Sequence, residues 1–186
     1  MESMRQMKSG KIIIITGTPG TGKDTVAKRL VRRGFVWVPL NSLVDQQKLW
    51  SRKEKGVKVV ELRKLRQAVD AIIRDSKKSG KSIIIEGHLA CELPIHCDLC
   101  IVLRTNPKIL RKRLEARKYP KSKTLENIEC ELLDYCTQHA EENINGPIYE
   151  VDNSGSISKT MNVINLVLSG KGKRYRVGWI DWSRYI

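Results

Sequence analysis

The sequence predicts an α/β fold with three layers, in which helices cover both faces of a mainly parallel central sheet. Runs of consecutive aliphatic residues, such as residues 12–15 and 83–85, are typical of strands that are buried on both faces. Amphipathic segments separate these runs, and this alternation favours a parallel sheet. With 186 residues, the chain is long enough for one domain with a substantial core and small inserted lobes.

The elements follow one another in a regular order. Strands are predicted in five segments: 12–15, 35–39, 82–86, 99–104 and 148–151. Helices are predicted in six segments: about 25–33, 41–47, 63–78, 107–117, 124–143 and 156–169. Asn41 is expected to cap the second helix, and Asn106 with Pro107 begins the fourth. Gly80 and Gly170 mark the ends of the third and last helices.

A glycine-rich loop follows the first strand. Residues 17–23 match the phosphate-binding pattern G-x-x-x-x-G-K, and an amphipathic helix comes next. Glycines let successive backbone N–H groups curl around an anion, and the helix adds the positive end of its dipole. Lys23 supplies a point charge for a transferred phosphoryl group. The order of strand, loop and helix favours a nucleotide phosphate site over a structural Gly-rich turn.

The two residues after the lysine bear on metal binding. The usual pattern has Ser or Thr directly after the lysine as a Mg²⁺ ligand, but this chain has Asp24 there and Thr25 next. We expect the Thr25 hydroxyl to lie near the metal. Asp24 either joins the Mg²⁺ shell or points away, as an acidic residue that is favourable in the first turn of a helix.

An acidic residue and a histidine follow the third strand. Glu86 comes directly after three isoleucines, at a strand end that should lie beside the phosphate loop. A carboxylate there can hold Mg²⁺ or polarise an attacking water. His88 lies on the loop that follows and has either a role in the reaction or that of a solvated loop residue.

A short basic segment joins two helices after the fourth strand. Its cations are Arg111, Arg113, Arg117, Lys118, Lys121 and Lys123. A basic loop that contains a proline suits a mobile lid over phosphates. Some of these side chains will only form a solvated helix face, and Arg117 is the arginine that we expect to act.

Composition limits the classes of function. The formal net charge of +15 indicates an anionic partner, which would be a nucleotide or a nucleic acid. The alternative is that the charge only reflects a lysine-rich surface. No apolar run is long enough to span a bilayer and no signal-peptide core is present, so a cytoplasmic protein is expected.

The segment 152–155 fits D-x-x-G but is interpreted as a turn, and no guanine-specificity signature occurs. A GTPase switch is therefore disfavoured.

The cysteines are predicted to be thiols. Their number, five, is odd, and the chain shows no secretory signal. His96, Cys97 and Cys100 resemble half of a zinc site, but the second pair of ligands is missing. Buried thiols are therefore favoured over metal ligands.

With these residues described, the chain resembles adenylate kinase isoenzyme 6-like proteins, compact nucleotide kinases tied to small-ribosomal-subunit assembly. The resemblance covers about residues 11–168. It rests on four segments: the loop 17–23, the strand end 86–88, the helix end 113–119 and the segment 125–131.

The resemblance implies a P-loop NTPase fold, with an NMP-binding region at about 40–63 and a lid at about 116–126. An N-terminal extension (1–10) and a basic aromatic tail (171–186) would flank the kinase domain (11–170). The residues implied to hold the ATP phosphates are Gly20, Thr21, Gly22, Lys23, Asp24 and Thr25. Arg117 would contact ATP, Glu86 would serve Mg²⁺, and His88 would support ATP hydrolysis.

The implied activity is adenylate kinase, ATP + AMP giving two ADP, with an accompanying ATPase. The implied cofactors are ATP and Mg²⁺, and the acceptor is AMP or another nucleoside monophosphate. The implied partner is a small-subunit platform ribosomal protein. The catalytic residues would be Lys23, Glu86, His88 and Arg117, with Thr25 and Glu86 positioning the metal.

Two alternatives stay open. One is an RNA- or ribosome-associated ATPase switch with little acceptor chemistry, which the basic segment 48–66 and the tail favour. The tail alternates bases with aromatic residues and could contact rRNA, but Trp179 and Trp182 could equally anchor it to the domain. The other alternative is a small-metabolite kinase with the same core.

Overall fold

The fold is built around a five-stranded parallel sheet. The structure is a computed structural model that describes residues 10–54 and 57–185. The strands, in chain order, are β1 (Ile12–Thr16), β2 (Val36–Pro39), β3 (Trp50–Glu54), β4 (Val57–Val60), β5 (Ile83–Glu86), β6 (Leu99–Arg104) and β7 (Ile148–Asp152). The sheet has the order β2-β5-β1-β6-β7, and β3 pairs with β4 in a separate antiparallel hairpin. Apart from Gly10, the predicted extension 1–10 lies outside the described residues.

Helices cover both faces of this sheet, as predicted. They are α1 (Lys23–Val31), α2 (Leu40–Gln46), α3 (Leu62–Ser79), α4 (Pro107–Ala116), α5 (Lys121–Leu132), α6 (Tyr135–Asn143) and α7 (Ile157–Leu168). One apolar core lies between the sheet and α2, α3 and α6. The second lies between the sheet and α1 and α7. The three-layer α/β/α architecture with a parallel central sheet is therefore confirmed.

The parallel register brings the strand ends together at one edge. β1 is central, with Ile15 opposite Glu86 of β5 and Thr16 opposite Val102 of β6. The glycine-rich loop after β1, the acid at the end of β5 and Arg104 at the end of β6 consequently meet at the carboxyl edge. Ligands bind at this edge in open parallel sheets.

Two local predictions are wrong, and one element was missed. The helix predicted at 124–143 is divided into α5 and α6 by Asp134, whose φ of 53° is left-handed. Asn41 is not a cap, because α2 already begins at Leu40 after Pro39. The β3–β4 hairpin was not predicted, since its first strand has no alternation of buried and exposed residues. In contrast, Asn106 caps α4 as expected, and its side chain accepts a hydrogen bond from Lys108 N at 3.0 Å.

The tail packs against the domain over its described part, 171–185. Trp182 is buried, and the Trp179 indole donates to the Glu150 carbonyl oxygen of β7 at 3.0 Å. Tyr185 Oη accepts from Asn106 Nδ2 at 2.6 Å. The interpretation of the two tryptophans as anchors is confirmed.

All five cysteines are free thiols, and Cys130 is the one of them that is not fully buried. The prediction of free thiols is therefore confirmed. No group of three or more candidate ligands for a metal ion occurs among residues 10–54 and 57–185. Across the same residues, none of the helices combines the length and the apolar character needed to cross a bilayer.

Candidate active site

The glycine-rich loop is a tight turn that contains three glycines with positive φ, and its shape depends most on two of them. Gly17 has a φ of 134°, and a Cβ there would lie 2.3 Å from the carbonyl oxygen of Leu103 in β6. Gly22 has a φ of 96° and begins α1 as its N-cap. A positive φ is strained for residues with a side chain, and the close approach to β6 leaves no room for one. The sequence thus folds locally into a loop that presents backbone N–H groups at a helix N-terminus.

Lys23 lies buried inside the loop. Its Nζ donates to the carbonyl oxygens of Gly17 at 2.9 Å and Thr18 at 3.2 Å. Burial lowers the pKa of this ammonium group below its usual value, while the charge of Glu86 acts in the opposite direction. The lysine is therefore a desolvated cation at the centre of the loop, where its interaction with phosphate oxygens is strong.

Two carboxylates lie near this lysine. Glu86 is buried at the end of β5, and burial raises the pKa of its carboxyl group, although Lys23 lowers it. The charge of Asp24 contributes to the pKa of both Lys23 and Glu86, and its place in the Mg²⁺ shell stays a prediction. Two carboxylates that repel each other beside a phosphate loop form an oxygen donor set that suits Mg²⁺. The residues therefore fit a magnesium ion on this side of the loop.

His88 adjoins the same group of charges. It begins the 3-10 turn His88–Glu92 after β5 and Gly87. Burial, and to a lesser extent the charge of Lys23, lowers the pKa of its imidazole to about 4. His88 is consequently neutral near pH 7. A neutral imidazole can accept a proton or orient a water molecule. Its burial also distinguishes His88 from a solvated loop histidine.

The other side of the loop borders a cavity of about 260 Å³. The residues that line it are Gly20, Gly22, Thr25, Arg113, Arg117, Asn153, Gly155 and Ile157. Thr25 thus lies on the cavity side, whereas Asp24 is the residue whose charge reaches Glu86. The metal roles of Thr25 and Asp24 both stay predictions.

Two arginines of the α4 end belong to this cavity. Arg117 is exposed and directly follows α4, and Arg113 lies one turn before it. Arg113 Nη2 donates to the Asn153 carbonyl oxygen at 2.7 Å. Burial and the nearby Arg117 lower the pKa of Arg113. An anion between the two guanidinium groups would relieve their repulsion, so this side favours a phosphate-bearing ligand.

Asn153 is a site residue that sequence reasoning missed. Segment 152–155 was interpreted only as a turn, and Ser154 N does donate to Asp152 Oδ1 at 2.8 Å. Asn153 Nδ2 also donates to the Thr21 carbonyl oxygen at 2.7 Å and so fixes the glycine-rich loop. The available signal was its position, because it directly follows the last strand at the carboxyl edge of the sheet.

A buried cluster of charged residues contacts the loop through Thr18, and the sequence did not predict it. Arg104 and Glu131 are each 1% exposed and pair at 2.8 Å between Nε and Oε1. Glu150 pairs with Arg104 at 2.5 Å, and Asp134 is a further partner. Burial lowers the pKa of Arg104, but the surrounding carboxylates raise it by more, to above its ordinary value. Glu131 Oε2 in turn accepts from Thr18 Oγ1 of the loop at 2.5 Å.

The region predicted to bind the acceptor, 40–63, consists of α2 and the β3–β4 hairpin. Its described cations partly pair within the region: Lys58 Nζ lies 2.5 Å from Asp45, and Arg52 Nε lies 2.6 Å from Glu54. Lys53 lies over the Trp50 ring, 5.8 Å from its centroid. The hairpin is therefore an exposed basic element.

The predicted site residues thus fall on two sides of one loop. Lys23, Asp24, Glu86 and His88 interact electrostatically on one side, and Gly20, Gly22, Thr25 and Arg117 border the cavity on the other. Thr21 is buried, with its Oγ1 bonded to the Thr18 carbonyl oxygen at 2.8 Å, and so shapes the loop. A desolvated lysine in a phosphate loop, beside a strand-end acid, defines a P-loop nucleotide-binding site.

Comparisons with known proteins agree with this class. A family model described as an AAA domain matches residues 13–134. The fold is similar to that of a shikimate kinase from Acinetobacter baumannii, solved with shikimate, with a TM-score of 0.60 and 15% identity. That match covers 90% of this chain and 98% of the other, and at this identity it concerns the fold alone. The fold and the site together define a P-loop nucleotide-binding protein.

Sequence relatives narrow the class further. A protein of Methanocaldococcus jannaschii named "Putative adenylate kinase" is 35% identical over 175 residues, covering 92% of each chain. A protein of the same name from Thermococcus kodakarensis is 38% identical over 176 residues, covering 92% of this chain and 93% of its own. The chain belongs to the nucleotide kinase family of these archaeal proteins. The narrower resemblance to isoenzyme 6-like proteins stays a prediction.

Proposed function

We propose that the chain is a Mg²⁺–ATP-dependent adenylate kinase that also hydrolyses ATP. The observation that carries this proposal is the loop with a desolvated Lys23 between two chemically different sides. One side presents the carboxylates of Asp24 and Glu86, and the other presents the Arg113–Arg117 pair beside a cavity. Transfer between two nucleotides needs a donor site and an acceptor site that meet at a shared phosphoryl group.

The cavity side is the proposed site of ATP. Its backbone N–H groups at the start of α1 and the exposed Arg117 suit the phosphates, and Arg113 and Asn153 border the remaining space. Arg117 directly follows α4, before the turn into α5, so a small movement of that turn would bring its charge over the phosphates. Closure of this kind excludes water and strengthens the interaction with phosphate.

The carboxylate side is the proposed site of transfer. Lys23 would neutralise the charge that develops on the transferred phosphoryl group. Asp24 and Glu86 would hold Mg²⁺, with Thr25 as a further candidate ligand. The ion, when bound, would screen the phosphate oxygens from these carboxylates. The acceptor, AMP or another nucleoside monophosphate, would enter from the neighbouring region 40–63, whose basic hairpin favours an anion.

His88 is the proposed basis of the ATPase activity. Its imidazole is neutral near pH 7 and borders Lys23, so it can orient a water molecule toward the same phosphate. His88→Ala should reduce hydrolysis more than it reduces ATP affinity. An unchanged hydrolysis rate would leave His88 as a loop residue.

A role in small-ribosomal-subunit assembly is proposed from the resemblance and from the charge of the chain. The formal net charge of +15 and the exposed β3–β4 hairpin favour a contact with rRNA beside a platform ribosomal protein. The same observations favour the second candidate function, an ATP-driven switch on RNA with little acceptor chemistry. Salt-sensitive binding of RNA would support either, and only acceptor chemistry separates them.

The experiment measures ADP formation from Mg²⁺–ATP with no acceptor, with each of four nucleoside monophosphates, and with shikimate. We expect AMP to accelerate ADP formation strongly and to be consumed mole for mole with ATP, so that two ADP form for each AMP. Lys23→Ala is the matched control and should show neither effect. Slow hydrolysis that no acceptor changes would favour the switch, and acceleration by shikimate alone would favour a metabolite kinase.

A further inference from the structure

The phosphate loop and the C-terminal tail bind the same buried carboxylate. Glu131 of α5 is 1% exposed, and its Oε2 accepts from Thr18 Oγ1 of the loop at 2.5 Å. Its Oε1 accepts from the Trp182 indole of the tail at 3.2 Å. Thr18 is 113 residues from Glu131 in sequence, and Trp182 is 51 residues from it. One side chain thus joins two segments that are distant in the chain.

This carboxylate has little freedom to move. Oε1 also accepts from Arg104 Nε at 2.8 Å and from the Thr105 backbone N–H at 3.0 Å, so it receives three donors. Oε2 has the Thr18 hydroxyl as its donor among the described contacts. Glu131 thus accepts four hydrogen bonds, three at Oε1 and one at Oε2, and four is about the number that a carboxylate accepts. Loss of one donor should therefore shift the carboxylate and, with it, the hydroxyl that holds the loop.

The tail has a second anchor that does not involve Glu131. Trp179 donates to the Glu150 carbonyl oxygen, and Gly178 N donates to Glu150 Oε2 at 2.9 Å. Trp179 is 44% exposed, whereas Trp182 is 7% exposed. Both indoles fasten the same tail, but only that of Trp182 bonds to the carboxylate that holds the loop. The chain therefore offers a matched control.

We propose that Glu131 and Trp182 are positioning residues for the phosphate loop, and that tail docking and nucleotide binding are coupled through them. This inference rests on the proposed function, in which the loop binds ATP. Glu131 fixes Thr18 inside the loop, between the two glycines that set its shape. By linkage, a docked tail strengthens nucleotide binding, and bound nucleotide strengthens tail docking by the same factor.

The test compares two tail variants of the full chain. Calorimetry gives the dissociation constant of each protein for the Mg²⁺ complex of a non-hydrolysable ATP analogue; the proteins are wild type, Trp182→Phe and Trp179→Phe. Urea denaturation gives the free energy of unfolding of each. Trp182→Phe should weaken binding about threefold to tenfold, because one donor to a buried charge is lost. Trp179→Phe should change it by less than about twofold, and it should cost less stability, because its indole is more exposed and bonds to a neutral carbonyl oxygen. Equal constants for all three proteins, or equal weakening in both variants, would overturn the coupling.

A second comparison locates the connection at the Thr18 hydroxyl. In a Thr18→Val background the link is already broken, so Trp182→Phe should have no further effect on affinity; in a Thr18→Ser background its effect should persist. Additive losses in the Thr18→Val background contradict the proposal. If wild type itself fails to bind the analogue, the proposed function is wrong and the coupling falls with it. Binding by wild type that Trp182→Phe leaves unchanged contradicts the coupling alone.

Discussion

Acidification should destabilise the protein through His88. Its pKa is lowered to about 4 in the folded chain from an ordinary value of 6.5, first by burial and then by the charge of Lys23. Between these two values the unfolded chain binds a proton that the folded chain does not, so stability is complete above pH 6.5 and declines as the pH falls toward 4. The free energy of unfolding should decrease by about 2 kcal/mol between pH 7 and pH 5, and by about 3 kcal/mol by pH 4.

Urea denaturation at pH 7, 6, 5 and 4 measures this effect, with His88→Asn as the control that cannot titrate. The raised pKa of Glu86 acts in the opposite direction, since its contribution is present at low pH and is lost as the pH rises. The difference between wild type and His88→Asn isolates the histidine. This difference should decrease steadily with acidification. A difference that does not change with pH, or that increases at low pH, would refute the reasoning.

Three further predictions concern the loop and its support. Lys23→Ala should lower kcat for ADP formation by at least about 100-fold at saturating ATP, because a preorganised charge at the phosphoryl group is lost; a rate near that of wild type would contradict the assignment. Gly17→Ala should reduce the free energy of unfolding by at least about 2 kcal/mol, since its Cβ would lie 2.3 Å from a β6 carbonyl oxygen, and an unchanged melting temperature would argue against that packing. Arg104→Met should cost about 3 to 5 kcal/mol at pH 7, because two buried carboxylates lose their cation.

Much of the fold could be predicted because its signals are local. The buried strands are short aliphatic runs, and the loop motif lies within seven consecutive residues, 17–23. Glu86 was identified for the same reason, since an acid at the end of an apolar run lies at a known edge of a parallel sheet. Position along the chain was enough in these cases.

The supporting contacts could not be predicted, because they join distant segments. Asn153 is 132 residues from Thr21, and nothing in either local sequence indicates their hydrogen bond. Asp134 divides a predicted helix without a glycine or proline to mark the break. Its partner is the buried Arg104, a tertiary contact that overrides local helix propensity. The sequence shows that the segment 124–143 is acidic, but it does not show that Glu131 is the residue of this segment that holds the loop.

The most direct test of adenylate kinase activity follows the transferred phosphoryl group itself. ATP labelled in its γ-phosphate is incubated with Mg²⁺, AMP and the protein, and the products are separated. We expect most of the label to appear in the β-phosphate of ADP, with a smaller amount in inorganic phosphate from hydrolysis. Label that appears only in inorganic phosphate, at a rate that AMP does not alter, would contradict the assignment of a nucleotide acceptor to this site.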